Sequence, residues 1–491
     1  MESFSEVNNY VALIGKPSKN KLEALEEEER LFIKNRKREM GEEGLAESAR
    51  VLKEAKETNN ALTVPDKVLA AIPIPSVDSI QLPKVQLIQS RYLTPDPKSQ
   101  LMEGPNNLEN QIHASTLPYA IQIGQYDSTF IELKAYVHMS GLRDDLKRHL
   151  ALYQALVFNT DVKRGNKTIS HEEIALELQQ DTNSADCWFD HVKGIMSFSV
   201  NVEKGKFLKG LQYLGEAITQ QIFTQERLHH EMTTFKNSLA DWLTNPSLVI
   251  REAITPLTET QNSNYALLSN LSQYKLIMSI TDDVTKNEAR ETLKTFQEIN
   301  NFITDRKRVI FHMAGDVEAV VKDLNQNHHK DLQTILDEYL GDRFKLSLED
   351  DLPKTSACMA YRPFSEYRLA PNTLNATVKV IGMGTQELTT MFMASSVENC
   401  DGGKCVDLGD DDPDHFTLMV VAQYFRLDEG PVFQSIRGQG LAYHDEFHYQ
   451  SATRYLTFYV NHALDIIRIY KEVKSFVDVL TQNDDGLNDV S

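Results

Sequence analysis

The side chains with the most chemistry in them crowd one short stretch. His444, Glu446 and His448 alternate in the run His-Asp-Glu-Phe-His. On an extended segment all three share one face, and His/Glu/His is a donor set used by catalytic zinc. Ligands at i, i+2 and i+4 of a single strand converge poorly on one ion, so a solvated strand face is the expected reading. Cys400 and Cys405 stand in C-x4-C spacing. A structural zinc needs a second pair, and Cys187 and Cys358 are isolated, so a surface loop is expected there. Gly382-Met-Gly384-Thr-Gln-Glu387 follows a strand-like run, as a dinucleotide loop would. Glu387 stands where the third glycine belongs and would set a carboxylate against a pyrophosphate, so a turn between strands is expected. His229-His230-Glu231 and His328-His329 lie in charged helical surroundings and read as solvent-facing. The chain contains no H-E-x-x-H, H-x-x-E-H, G-x-S-x-G or P-loop pattern.

A different constellation lies just upstream. Residues 430–443 read Gly-Pro-Val-Phe-Gln-Ser-Ile-Arg-Gly-Gln-Gly-Leu-Ala-Tyr. Arg437 and Tyr443 bracket a glycine bend that lets backbone approach closely. Both are hydrogen-bond donors, suited to carbonyl oxygens and to developing negative charge. The competing reading is a tight helix-to-strand connection with Tyr443 as a half-buried anchor.

The elements that must hold these residues follow from periodicity. Residues 10–15 read as a short buried strand ended by Gly15 and Pro17. A strand needs partners, and the next segment offers none. Residues 21–58 are rich in Glu, Lys, Arg, Leu and Ala, with Gly41 and Gly44 interrupting, and predict two helices, 21–39 and 43–58, in an antiparallel hairpin. Their thin apolar stripe marks a connector rather than core. Pro65, Pro73, Pro75 and Pro83 stiffen the linker that follows. Strands are expected at 117–124, 129–138, 194–201 and 307–313. Helices are expected at 143–158, 171–180, 204–222, 224–243, 262–278 and 286–304, with Ser170 and Glu173 in capping-box spacing. Further on, strands are expected at 376–383, 389–397, 442–450 and 454–460, and helices at 413–436 and 461–481. The runs around Ile123-Gly124 and Ile381-Gly382 echo one another, a weak sign of duplication. Antiparallel strands with helices to one side predict α+β.

Composition narrows the function classes. The chain has 491 residues, 51 Lys+Arg against 71 Asp+Glu, and a net charge of −20. That acidity argues against wrapping nucleic acid or binding an anionic membrane surface. No run reaches the ~18 apolar residues of a membrane helix, and the first residues lack the pattern of a signal peptide. Four cysteines in so long a chain indicate a reducing compartment. Cytoplasm is the expected location, with a mitochondrial matrix open if the natural N-terminus is missing.

The segment from Phe425 through Glu429-Gly-Pro431 and Ile436-Arg437-Gly-Gln-Gly-Leu-Ala-Tyr443 resembles the last domain of pitrilysin/insulinase-type (inverzincin) zinc metallopeptidases, in the presequence-protease-like branch. The charged hairpin, ending in Ile72-Pro-Ile-Pro-Ser-Val-Asp-Ser-Ile80, is similar to the arm joining the two halves of those enzymes, and Tyr10–Ser18 looks like the final strand of the preceding half. The resemblance implies a definite organisation. Residues 1–20 would end a missing preceding domain and 21–83 would form the arm. Residues 84–320 would be a third-type α+β domain and 321–491 a fourth-type domain, truncated at its C-terminus. It implies that Arg437 and Tyr443 contact an unstructured peptide substrate. Zinc would be held by an N-terminal half on the same polypeptide or a separate chain, and not by this one. On this reading the chain is the non-catalytic C-terminal half of a metalloendopeptidase. The alternative is a stand-alone inactive peptide-binding or scaffold subunit.

Overall fold

The computed structural model describes residues 19–61, 65–69, 71, 76–79, 85–93, 108, 112–191, 193–258, 262–284, 289–347, 350, 389–396, 400–401, 404–405, 413–428, 430–450 and 455–482. The expected strands at 10–15 and 376–383 and the Gly382–Glu387 loop lie outside the described residues. Two compact units divide between Leu82 and Pro83.

The first unit is dominated by α1 (Lys19–Ala61), broken at Gly41, whose φ of 63° and ψ of −178° are non-helical. The break falls at a residue the sequence marks for it. Nearly every described side chain of α1 is exposed, Phe32 and Leu52 included. With no apolar face to bury, α1 carries short-range ion pairs along its length: Arg30–Glu27 at 2.6 Å, Arg50–Glu47 at 2.7 Å and Lys53–Glu57 at 3.7 Å.

The second unit is α+β. In chain order its main elements are β1 (Gln86–Gln89), β2 (Ile121–Gln125), β3 (Phe130–His138), α2 (His171–Asp181), β4 (Thr182–Asp190), β5 (Ile195–Glu203), α3 (Phe207–Thr219), α4 (Gln225–Leu243), α5 (Pro246–Thr258), α6 (Ala289–Ile303) and β6 (Val309–Gly315). The six strands lie in the order β1-β2-β6-β3-β5-β4, antiparallel except for the parallel pair β2–β6. Alternation gives the sheet one apolar face. Ile131, Leu133, Ala135 and Val137 of β3 join Met196, Phe198, Val200 and Val202 of β5, all shut off from water, and α3 packs on them. The opposite face is polar, as in the 2.7 Å pair Lys134–Glu132. The expected capping box starts α2: the Glu173 N–H donates to Ser170 Oγ at 3.3 Å and the Ser170 N–H to Glu173 Oε2 at 3.2 Å.

A second set of elements follows: β7 (Thr389–Ser396), α7 (Pro413–Arg426), α8 (Pro431–Ile436), β8 (Ala442–Gln450), β9 (Tyr455–Ala463) and α9 (Ile466–Gln482). Its strands pair antiparallel in the order β7-β9-β8. The helix expected over 413–436 is two, because Pro431 starts a fresh helix at its first turn after Gly430. Strand β9 runs to Ala463, and α9 starts only where Asp465 Oδ1 accepts the N–H groups of Ile467 at 3.1 Å and Arg468 at 3.0 Å.

The duplication hinted at in the sequence is plain in the topology. β3, β4, β5 and α3 begin at 130, 182, 195 and 207, and β7, β8, β9 and α9 at 389, 442, 455 and 466, a displacement of 259 or 260 residues throughout. The strand orders β3-β5-β4 and β7-β9-β8 match. Each copy has its own core. The first core takes in Leu324, Leu332, Ile335, Leu336 and Phe344, so the boundary expected at 320 falls inside a helix, Val317–Asp323, that packs with the first sheet. The second sheet carries α7, α8 and α9 on one face. On its other face it meets α5, where the Tyr459 hydroxyl hydrogen-bonds Ser247 and Arg251 lies 5.7 Å over the Tyr459 ring.

Candidate functional site

The bend between α8 and β8 is built by short-range backbone bonds. The N–H of Gly438 reaches the Phe433 carbonyl, that of Gly440 the Arg437 carbonyl and that of Leu441 the Ile436 carbonyl, each at 2.9 Å. Glycine is needed twice here. A Cβ on residue 438 would sit 2.7 Å from the Gln434 oxygen, and Gly440 has a φ of +66°. The bend turns the chain from the buried end of α8, at Ile436, into the edge strand β8.

Arg437 ends α8, half-buried, with its guanidinium carbon 4.6 Å from the centre of the Phe433 ring. The aromatic face restrains it without consuming a hydrogen bond. Tyr443, the second residue of β8, is 76% exposed, and its ring meets His462 edge-on at 6.2 Å. Among the described residues neither the Arg437 guanidinium nor the Tyr443 hydroxyl has a hydrogen-bond partner. The half-buried anchor expected of Tyr443 as the bland alternative does not match this exposure.

Asp445 is the residue sequence reasoning passed over. It shares a strand face with Tyr443, Phe447 and Tyr449, the last two buried in the second core. Among the described residues its Oδ1 is closed off from water without a hydrogen-bond partner. Burial pushes its carboxyl above the ordinary aspartate range, while nearby Arg437 and His444 pull it back and Asp428 adds to the rise. Arg437 and Asp445 are therefore electrostatic neighbours, and Tyr443 stands two residues along the same face. The sequence signal was an acid at a position that alternation assigns to the core.

The His444, Glu446 and His448 strip is on the opposite face, as its spacing predicts. Glu446 pairs across the strands with Tyr459, the residue that meets α5, and lies 3.6 Å from Arg426. His444 sets its ring edge-on to Tyr459 at 6.0 Å. These residues do not fit a metal centre: the carboxylate is engaged by a cation, and the two histidines are exposed on a single strand, whose i, i+2 and i+4 positions converge poorly on one ion. Among the described residues no group of three or more His, Cys, Asp or Glu is placed to hold a metal ion. Cys400 and Cys405 are register partners in a two-stranded ladder. Among the described residues no helix is long and apolar enough to cross a membrane.

No protein-family model matches the chain. An uncharacterized Schizosaccharomyces pombe protein is 20% identical over 460 residues, covering 89% of this chain and 40% of its own length. An uncharacterized Saccharomyces cerevisiae protein is 22% identical over 499 residues, covering 96% and 44%. The chain thus spans about two fifths of the length of the curated relatives it matches. A protease from Helicobacter pylori superimposes with a TM-score of 0.52 over 76% of this chain and 81% of that one, at 13% identity. A peptidase M16 inactive domain from Pseudomonas fluorescens superimposes with a TM-score of 0.49 over 76% and 80%, at 14% identity. The likeness to the Helicobacter pylori protein is one of fold.

Proposed function

We propose that this chain is the non-catalytic, peptide-contacting half of a pitrilysin/insulinase-type zinc metalloendopeptidase, in its presequence-protease-like branch. It forms chamber wall from its two α+β domains and presents Arg437 and Tyr443 to an unstructured peptide. The observation that carries this reading is the pair of donors without hydrogen-bond partners among the described residues, at a glycine bend in a fold shared with a protease. A guanidinium and a phenol at such a bend donate to peptide carbonyls and to oxygen that gains charge as a peptide bond is attacked. Zinc belongs in this reading to a companion N-terminal half, because this chain carries no H-x-x-E-H sequence and its His/Glu/His strip does not fit the ion.

The test joins this chain to the companion half and measures hydrolysis of an unstructured peptide. Arg437→Ala and Tyr443→Phe are each expected to lower kcat about 10²-fold, with far-UV circular dichroism and melting unchanged. Unchanged kinetics would remove both residues from the site. Metal-dependent cleavage by the purified 491-residue chain alone would overturn the non-catalytic assignment.

A further inference from the structure

We infer that Asp445 is a third contact to the bound peptide, accepting a main-chain N–H while Arg437 and Tyr443 donate to its carbonyls. The inference rests on the peptide-contacting reading above and adds the acceptor that reading lacks. A site built from donors alone recognises any carbonyl or carboxylate. An acceptor beside them selects for the amide bond itself, which offers both groups.

Three observations converge on Asp445. Its Oδ1 is buried without a partner, and among the described residues its carboxylate forms no ion pair, although an arginine is its electrostatic neighbour. Arg437 is instead held over the Phe433 ring, so donor and acceptor stay apart rather than cancelling each other. The strand that carries Asp445 lies at the edge of its sheet, with no strand beyond it among the described residues. Tyr443 and Asp445 occupy one face of that edge strand two residues apart, roughly 6.6 Å along it. An extended peptide presents its N–H and C=O groups with the same two-residue repeat. Only Oδ1 is closed off from water and the residue as a whole is half-buried, which leaves Oδ2 for an arriving N–H.

The surrounding charges suit the role. Arg437 at the end of α8 and His444 on β8 favour the ionised carboxylate, and Asp428 after α7 opposes it together with burial. A peptide N–H on Oδ2 would stabilise the ionised carboxylate that burial disfavours.

The experiment is an ester scan. A fluorescein-labelled unstructured peptide is bound to the chain and followed by anisotropy, along with a series in which one backbone N–H at a time is replaced by an ester oxygen. In the wild type one ester position is expected to bind about tenfold more weakly than the amide. Asp445→Leu is expected to bind the all-amide peptide about tenfold more weakly and to lose the distinction between ester and amide. Asp445→Asn keeps an acceptor oxygen and the shape, and is expected to retain the distinction, which carries the test if the leucine variant unfolds. If no ester position matters in the wild type, or Asp445→Leu discriminates as the wild type does, Asp445 is not an acceptor. If Arg437→Ala and Tyr443→Phe still weaken binding in that case, the peptide-contacting reading stands without it. If none of the three substitutions changes binding, the peptide-contacting reading itself fails.

Discussion

Where α2 runs into β4 the helix ends at Asp181 and the strand begins at Thr182, with no residue between; where α8 leads to β8, the five residues Arg437 to Leu441 intervene. The two junctions occupy the same place in the two copies of the fold. At the first, every prominent charge has a structural partner. Asp181 accepts the Tyr213 hydroxyl at 2.7 Å and lies 3.3 Å from Lys206 Nζ and 3.7 Å from Lys209 Nζ. Just upstream, Arg164 is clamped by Glu216 at 2.6 Å and Glu177 at 2.9 Å, the former a buried residue of α3. At the second junction Arg437, Tyr443 and Asp445 have no hydrogen-bonding side-chain partners among the described residues. Polar groups that tie a helix to its sheet explain themselves by stability. A polar atom left buried and unpaired, as Asp445 Oδ1 is among the described residues, is a cost to folding, and its retention points to a ligand.

The largest effect that sharpens this contrast is on stability. Arg164→Ala leaves Glu216 buried without its cation and is expected to destabilise the chain by about 3 kcal/mol, read as a fall in the urea midpoint. Arg437→Ala removes no such partner and is expected to change stability by less than about 0.5 kcal/mol. If the two variants melt alike, Arg437 is structural and the contrast between the junctions collapses.

A middle-sized effect separates shape from charge. Gly440→Ala places a side chain at a left-handed φ and is expected to cost about 1 kcal/mol, while Gly438→Ala drives a Cβ into the Gln434 carbonyl and forces the bend to shift. Both are expected to lower peptide affinity or turnover by more than their loss of stability accounts for, because they re-aim Arg437 relative to Tyr443. Peptide binding equal to wild type in folded Gly438→Ala protein would show that the bend does not position the donors.

How much of this was legible beforehand depended on whether a signal was local. Strands β3 and β5 alternate cleanly and α2 announces itself by Ser170 and Glu173, so they follow from the sequence. Strand β4, Thr-Asn-Ser-Ala-Asp-Cys-Trp-Phe-Asp, was invisible because an edge strand with little to bury carries no apolar rhythm. Helix α5 went unread although its partner is the second sheet, since that contact joins residues such as Ser247 and Tyr459, far apart in sequence. The same distance hid the surroundings of His444 and Glu446, whose neighbours are Tyr459 of β9 and Arg426 of α7. Arg437 and Tyr443 could be picked out as donors around glycines. Asp445 goes unnoticed between His444 and Glu446, although the period of two sets it on the other face, among Phe447 and Tyr449.

The smallest effect has opposite signs at the two junctions. Burial raises the Asp445 carboxyl, so the native state holds that proton to higher pH than the unfolded chain does. Its contribution therefore favours folding least at high pH, and stability is lost as pH rises from the ordinary aspartate value through the raised one. Asp181 is the reverse: the Tyr213 hydroxyl holds it low, with Lys206 and Lys209 adding to that pull. Its contribution is present above the ordinary value and lost as pH falls through the lowered one. Asp445→Asn should then be more stable than wild type near neutral pH, by no more than about 1 kcal/mol given its partial exposure, and the gap should close toward about pH 4. Asp181→Asn should be less stable than wild type near neutral pH, and that gap should narrow in acid. Urea titrations of both variants and wild type across this range read the two slopes directly. Parallel slopes would mean that the acid in β8 is held by the fold as firmly as the one ending α2, and is not kept open for a ligand.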